Sequence, residues 1–309
     1  MSQINQAGAA GQKAPKKIKE STGELMNAAE KRYQVLWSVF FIVVSIIAIV
    51  PILRVISISF SSKDAIMRGE VFVWPVGFNT DAYTKALKTG NFMGTMGYSV
   101  LLMIEAAAIN MVMTILMAFP LSRRNLKLGS LIMTFCVLTM YLNPGTIPTF
   151  LNVRDFGLIN TIWALLVPGA MSVYNMIIMR TAFRSIDESL YEAARIEGCS
   201  EFRIMWQIAV PLTVPTIATL ALFYAVSRWN GIEDQIYYIN SSSLYTVQMT
   251  LKQMIESIAI SAEEGSTTQM TPENVKAASI TLSMLPMLIV YPFVQRFFTQ
   301  GIMLGAVKG

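Results

Sequence analysis

Blocks of about 20 mostly apolar residues, each almost free of charge, constrain this chain more than any other feature of its sequence. A helix of roughly 20 residues is long enough to cross the hydrocarbon core of a bilayer. The chain is 54% hydrophobic and 14% charged, whereas soluble domains carry about 25% charged residues. The pattern predicts an all-α membrane protein with about six transmembrane helices, at residues 35–60, 96–120, 128–150, 158–179, 204–226 and 278–298.

The distribution of cations predicts how these helices are oriented. The short loop after the second block holds Arg123, Arg124 and Lys127 and no acidic residue, and Lys and Arg accumulate in cytoplasmic loops of membrane proteins. Both termini are therefore expected in the cytoplasm. The chain is expected to divide into a disordered basic tail (1–32), a six-helix membrane domain (33–300) and a cytoplasmic C-terminal tail (301–309).

Prolines in and beside the apolar blocks predict that several helices are bent or broken. The clearest break is the sequence Asn143-Pro144-Gly145. In lipid, each backbone carbonyl freed by a proline must find another partner, either in a neighbouring helix or in water. The prolines therefore predict bent helices that pack around a cavity.

The residue types exclude several kinds of chemistry. The chain has no His, so neither a Ser-His-Asp triad nor a His-based zinc site is possible. It has no Gly-Lys dipeptide and therefore no Walker A loop for ATP. No catalytic residue, cofactor, metal site or nucleic-acid partner is expected.

The segment at residues 188–203 predicts two short helices joined by a turn. Gly198 permits a sharp turn at no steric cost, and a second helix is expected from about residue 200. Two interpretations are open: a surface that docks another protein, or an amphipathic connector on the lipid. Residues three and four apart share a helix face, and the face predicted to carry the contact comprises Leu190, Ala193, Ala194 and Glu197.

The spacing within and after this segment resembles the EAA loop of ATP-binding-cassette (ABC) importer permeases. That pattern is Glu-Ala-Ala, three residues, Gly, nine residues, Ile, one residue and Leu-Pro. The run Glu192-Ala193-Ala194 is followed at the same spacing by Gly198, Ile208 and Pro211, with Val210 in place of the Leu. The resemblance implies the transmembrane domain of a type I ABC importer.

Further stretches resemble the shorter permease of maltose-type sugar importers. They are Trp229-Asn230, Asp81-Ala82-Tyr83 and residues 301–309, and the ending is most similar to a Gram-positive branch that handles complex oligosaccharides. The resemblance implies a permease subunit for a sugar or oligosaccharide in the bacterial plasma membrane. Alternatives are the permease of an amino-acid or peptide ABC importer, and a secondary transporter, which would need intramembrane charge relays or inverted repeats.

The resemblance also implies partners. They are a second homologous permease, two cytoplasmic ATPase subunits that hydrolyse the ATP, and an extracellular solute-binding protein that touches the outer loop at 228–277. The tail at 303–309 is expected to reach toward the ATPase interface. Contact with the ATPase is implied for Glu192, Ala193, Ala194, Gly198 and Pro211.

Substrate contacts are expected from aromatic and amide side chains near membrane depth. Each candidate has an alternative role in an interfacial aromatic belt or in packing between helices. Glu105, the one acidic residue inside a block, is either functional, reaches the interface, or pairs with Arg154. The substrate candidates are Tyr141, Asn143, Tyr224, Trp229 and Asn230.

Overall fold

The computed structural model describes residues 28–88, 91–263 and 272–306, and the regular structure in those ranges is entirely helical. The predicted all-α class is therefore confirmed. The chain divides into two units, residues 1–52 and residues 53–309. The predicted tail at 1–32 lies mostly outside the described residues, as do residues 307–309.

The helices are α1 (Ala28–Ser59), α2 (Lys63–Met67), α3 (Asp81–Lys88), α4 (Phe92–Ser122), α5 (Gly129–Tyr141), α6 (Thr146–Asp155), α7 (Trp163–Leu166), α8 (Val173–Arg184), α9 (Glu188–Ile196), α10 (Glu201–Ile204), α11 (Val210–Leu212), α12 (Val214–Asn230), α13 (Glu233–Tyr238), α14 (Val247–Glu263) and α15 (Pro272–Ala306).

Two helices within the described ranges, α1 over Arg32–Ser59 and α4, are long and apolar enough to cross a bilayer. The number rises to four if each of two bent helix pairs forms one span. In the first unit, the side chains at 32–49 of α1 are exposed although most are apolar, as expected of a helix that faces lipid. The count of about six spans and the location of the termini stay predictions.

The break predicted at residues 143–145 is present. Helix α5 ends at Tyr141, and α6 begins at Thr146 after a bend of 117°. Gly145 adopts a left-handed backbone with φ of 86°, and its amide donates to Oδ1 of Asn143 at 2.9 Å. The predicted span at 128–150 is therefore broken at the residues where the sequence predicts a break.

The fourth and fifth predicted spans are also interrupted. Only the four residues of α7 are helical in the first part of 158–179, and an irregular stretch precedes α8. A π-helical turn at Met205–Ala209 joins α10 to α11, and a bend of 86° then separates Glu201–Leu212 from α12. Pro211 and Pro215 flank this bend. The prediction of broken helices is confirmed, and the predicted spans at 158–179 and 204–226 both contain such breaks.

Helix α4 lies at the centre of the second unit. Its C-terminal half packs Met111, Ile115 and Phe119 against α8 and α12. Its N-terminal half packs against the segment at 233–263, where the Val247 amide donates to Oγ of Ser99 at 2.7 Å. This segment belongs to the predicted outer loop, but α13 and α14 make most of it helical.

Candidate functional site

The segment at 188–204, called the hairpin below, forms as its sequence predicts. Its first helix, α9, begins after Asp187, whose Oδ1 accepts from the Ser189 amide at 2.9 Å. Its second helix, α10, begins after Ser200, whose Oγ accepts from the Arg203 amide at 3.3 Å. Such N-caps satisfy amide groups that have no partner inside a helix, so each helix start is specified locally.

The turn between the two helices depends on Gly198. Its φ is 80°, in the left-handed region that glycine adopts without a steric penalty. The Cys199 amide reaches back to the carbonyl of Ala194 at 3.0 Å, which closes the end of α9. Arg195 then pairs with Glu188 at 3.5 Å and with Glu201 at 2.8 Å, so ion pairs join the two helices across the turn.

The inner face of the hairpin is fastened to the membrane helices by Tyr191. The ring is buried, lies edge-on to Phe119 of α4, and its hydroxyl donates to the Phe183 carbonyl at 3.2 Å. The guanidinium of Arg123 lies 3.4 Å from the centre of this ring. Burial raises the pKa of the Tyr191 phenol. The phenol is therefore neutral at physiological pH, and its position is fixed by packing.

The outer face of the hairpin is exposed. Glu192, Ala193 and Glu197 are exposed, and Ile196 keeps 87% of its surface accessible. The prediction that Ala194 shares this face was wrong. Ala194 is buried one helical turn after Tyr191, because residues three apart lie on the same side of a helix. Of the predicted contact residues, only Ala194 faces inward.

The other predicted contact residues have distinct environments. A Cβ at Gly198 would meet no atom within 4 Å, so this glycine is required for its backbone conformation, and not because another part of the chain approaches closely. Pro211 is exposed and lies two residues before the bend at Thr213. It therefore marks the junction between the hairpin and α12.

A cavity of about 770 Å³, called the central cavity, lies between α4, the turn before α6, α7, and the region where α12 meets α13. It is lined by three of the five predicted substrate residues, Asn143, Tyr224 and Asn230. The other two do not line it. Tyr141 lies before the break with 81% of its surface exposed, and Trp229 is buried against Phe92 and Val247.

Several lining residues were not predicted from the sequence. Asn110 lies in the middle of α4, and its buried side-chain oxygen has no hydrogen-bond partner among the residues that the structure describes. The sequence feature that could have identified Asn110 is its amide side chain inside an otherwise apolar block. Arg228 binds Asp234, with Nη2 and Oδ1 2.9 Å apart, and also donates to the Leu165 carbonyl at 2.9 Å. Arg228, the arginine in this lining, thus forms its ion pair with a residue of its own chain.

Tyr224 connects three helices beside the cavity. Its hydroxyl lies 2.7 Å from Thr114 Oγ1 of α4 and accepts from the Ser172 amide at 3.1 Å, at the start of α8. Asn110 and Phe119 are nine residues apart on α4, or about 14 Å at 1.5 Å per residue. Tyr224 therefore lies where the helices that seat the hairpin meet those that line the cavity.

Glu105 does not form the predicted pair with Arg154. Arg154 binds the neighbouring Asp155 at 2.9 Å instead, and Glu105 is half-buried on α4. Sequence-adjacent residues on the short helix α6 meet more readily than residues on two separate helices. Of the three alternatives for Glu105, pairing with Arg154 is therefore excluded, and the other two stay open.

Broken membrane helices around a polar cavity, with an exposed hairpin at the end of the central helix, are the features of a transporter's membrane subunit. The chain belongs to the family of binding-protein-dependent transport system inner membrane components, whose model matches residues 110–304. The matched region contains the hairpin and most of the cavity lining. Because it belongs to this family, the protein is a multi-pass protein of the bacterial plasma membrane.

Individual relatives agree with this family. Protein LplC of Bacillus subtilis is 38% identical over 86% of this chain and 91% of its own. The polygalacturonan/rhamnogalacturonan transport system permease protein YtcP of the same organism is 36% identical, with 87% and 96% covered. A chain from the crystal structure of a bacterial ABC transporter involved in the import of the acidic polysaccharide alginate aligns with a TM-score of 0.81 and 30% identity, and the match covers 89% of this chain and 99% of that one.

Proposed function

We propose that this chain is the membrane-spanning permease subunit of an ABC importer that takes up a sugar or oligosaccharide delivered by an extracellular binding protein. The observation that carries this proposal is the two-sided hairpin. Its inner face is seated by Tyr191 on the chain's own helices, whereas Glu192, Ala193 and Ile196 stay exposed. Leu190 and Phe202 of the hairpin are exposed as well, and several exposed apolar side chains on one short segment indicate an interaction surface.

In this proposal the hairpin docks one of two cytoplasmic ATPase subunits, which hydrolyse the ATP. The chain itself contains no Walker A sequence. A second homologous permease completes the pathway, and both termini and the hairpin face the cytoplasm. The segment at 233–263 then faces outward, where it meets the binding protein.

The central cavity is the proposed sugar pathway. It offers the amides of Asn110, Asn143 and Asn230, and the aromatic rings of Tyr237 and Tyr238. Sugars present hydroxyl groups to amides and ring faces to aromatic side chains. Because Arg228 is held by Asp234, the lining recognises a glycan by hydrogen bonding and stacking. The polysaccharides that YtcP and the alginate transporter carry support a glycan as the class of substrate.

Uptake by the reconstituted importer tests this function. The permease, its partner permease, the ATPase and the binding protein are placed in proteoliposomes, and ATP-dependent accumulation of labelled oligosaccharides and of labelled peptides is measured. We expect accumulation of an oligosaccharide and not of a peptide. Accumulation of peptides alone would favour the amino-acid or peptide branch, and uptake without the ATPase would favour a secondary transporter.

Two variants test the pathway within the same assay. Asn143→Ala and Asn230→Ala each remove a lining amide, and a lost neutral hydrogen bond of about 1 kcal/mol lowers sugar uptake at limiting substrate roughly fivefold. Tyr141→Ala is the matched control, because Tyr141 lies outside the cavity. Equal loss in all three variants would remove the cavity from the pathway.

The orientation is tested by labelling single cysteines in intact cells, in a background where Cys136 and Cys199 are replaced by Ser. A membrane-impermeant maleimide should label Ser243→Cys, in the exposed turn before α14, and should not label Ile196→Cys on the hairpin. Labelling of Ile196→Cys from outside would reverse the proposed orientation.

A further inference from the structure

A second pocket, distinct from the central cavity, lies where the C-terminal ends of α4 and α8 meet the start of α5. We call it the basic pocket. It has a volume of about 550 Å³, and among the described residues no acidic side chain lines it. Its cations come from two separate parts of the chain, the loop between α4 and α5 and the end of α8, and they are Arg123, Arg124, Lys127, Arg180 and Arg184.

Arg123 is the least satisfied of these cations. Its side chain keeps only 10% of its surface exposed, and although the guanidinium lies over the Phe119 and Tyr191 rings, Nε and Nη2 have no oxygen within hydrogen-bond distance in the part of the chain that the structure describes. The nearest carboxylate, Glu201, is 3.8 Å away and already accepts from Arg195. Burying a guanidinium without hydrogen bonds carries a free-energy cost. An anionic oxygen in the pocket would remove that cost.

Arg180 is held in place, whereas the three exposed cations of the pocket can turn toward a ligand. Nε of Arg180 donates to the Leu121 carbonyl at 2.7 Å, which fixes the direction of its guanidinium. Arg124, Lys127 and Arg184 are exposed and form no ion pair among the residues that the structure describes. Several converging cations with planar donor groups suit a phosphate.

The pocket also has an apolar side. Met133 and Val137, four residues apart on α5, line it and lie on one face of that helix. Leu126, in the loop before α5, adds a third apolar side chain to this lining. A strip of this kind is long enough to hold part of an acyl chain. A free phosphate would leave the strip uncovered.

We propose that the basic pocket binds an anionic phospholipid, with the headgroup phosphate among the five cations and an acyl chain along Met133 and Val137. Basic pockets between membrane helices on the cytoplasmic side recognise lipids of this class. Because Arg123 also stacks on Tyr191, the bound lipid would brace the seat of the hairpin. This site is separate from the sugar pathway and does not depend on which sugar is transported.

The test uses the assembled transporter in nanodiscs that contain phosphatidylcholine with or without phosphatidylglycerol, and native mass spectrometry counts the lipids retained. The variant is Arg124→Gln, Lys127→Gln and Arg184→Gln together. The matched control is Arg68→Gln, Lys88→Gln and Lys276→Gln, which removes the same charge from exposed positions outside the pocket. Both should assemble normally, since all six side chains are exposed.

The wild type and the control should retain phosphatidylglycerol in preference to phosphatidylcholine. Each cation near an anionic headgroup contributes about fivefold in affinity, so the triple variant should lose the preference. Retention of phosphatidylglycerol by the triple variant at the wild-type level would overturn the proposal, as would equal retention of both lipids by the wild type.

A second arm separates a lipid from a free anion. Val137→Gln should weaken retention of phosphatidylglycerol, because it places an amide against the acyl chain, and inorganic phosphate at millimolar concentration should displace little of the lipid. If phosphate displaces it fully and Val137→Gln has no effect, the pocket is a site for small anions and the lipid proposal fails.

Discussion

The hairpin and the central cavity lie about 14 Å apart along α4, and they are built in different ways. The hairpin is one continuous stretch of chain whose caps, turn and shortest ion pair all lie within residues 187–204. The cavity is lined by residues from 106 to 238, which come from several helices and from the breaks between them. The hairpin can therefore move as a unit, whereas the cavity changes shape whenever its helices move relative to one another.

This difference suggests how the two regions act together. A partner that displaces the hairpin displaces α4 and α8 with it, because Tyr191 joins both helices. The same two helices meet Tyr224 beside the cavity. A displacement at the hairpin thus reaches the cavity wall through rigid helices, and the broken segments at 142–145 and 167–172 allow the lining to adjust.

The largest effect on stability is expected in the cavity, at the pair of Arg228 and Asp234. Arg228→Met strands the Asp234 carboxylate, and loss of one partner of a buried pair costs roughly 3–5 kcal/mol. The lower end applies because Asp234 keeps 29% of its side chain exposed. The free energy of unfolding is measured by tryptophan fluorescence during denaturation of the purified complex. Arg228→Met with Asp234→Leu should recover most of the loss, and a double variant as unstable as the sum of the two single variants would show that the pair is not coupled.

Loss of the inner face of the hairpin is expected to cost slightly less. Tyr191→Ala leaves a cavity beside Phe119, and truncating a buried aromatic residue costs about 3 kcal/mol. ATPase co-purification should fall with it. Tyr191→Phe, the control, loses one hydrogen bond worth about 1 kcal/mol and should retain the ATPase.

The raised pKa of Tyr191 gives this comparison a pH dependence. Because burial favours the neutral phenol, its contribution to stability is fully present below the ordinary tyrosine pKa of 10.0 and is lost as the pH rises above that value. The difference in unfolding free energy between the wild type and Tyr191→Phe should therefore stay constant up to about pH 10 and shrink in alkaline buffer, where the wild type loses stability and the variant does not. A difference that grows as the pH falls below neutral would contradict the assignment.

A smaller effect is expected at the turn. Gly198→Val places a β-branched residue in a left-handed conformation, at a cost of roughly 1–2 kcal/mol. Since no atom crowds this position, Gly198→Asn should be tolerated, because Asn visits the left-handed region more readily. ATPase pull-down and sugar uptake measure the result. If Gly198→Val and Gly198→Asn reduce ATPase binding and sugar uptake equally, the partner, and not the backbone conformation, requires glycine here.

The sequence was informative where the structure depends on near neighbours. The run from Glu192 to Gly198 specifies two helices and a turn through caps and spacing alone, and the hairpin agrees. The inward position of Ala194 was missed because it depends on Tyr191 packing against Phe119, a residue more than 70 positions earlier. A helix face cannot be assigned to the inside or the outside without its neighbours.

The cavity was harder to predict for the same reason. Asn143, Tyr224 and Asn230 line it, but Tyr141 lies on the far side of a bend of 117°. Nothing in the local sequence specifies the direction of that bend. The acidic segment at 228–277 was predicted as a loop, yet α14 forms there because its first turn is anchored to Ser99 of α4. Such contacts are invisible to periodicity and composition.

The central claim is that the exposed face of the hairpin binds an ATPase, and Glu192→Lys tests it most directly. Glu192 is exposed, so the unfolding free energy of the permease should change by no more than about 0.5 kcal/mol. Glu70→Lys makes the same charge change at an exposed residue whose weak pair with Arg68 spans 4.0 Å, and it serves as the control. The measurement is the dissociation constant of the ATPase for the purified permease pair.

Loss of a partly buried charge pair of about 1.4 kcal/mol weakens binding about tenfold, so Glu192→Ala should show roughly that change. Glu192→Lys should weaken binding further, because like charges would then face each other, while Glu70→Lys should bind as the wild type does. Wild-type affinity and sugar uptake in Glu192→Lys would contradict the account and leave the hairpin as an amphipathic connector.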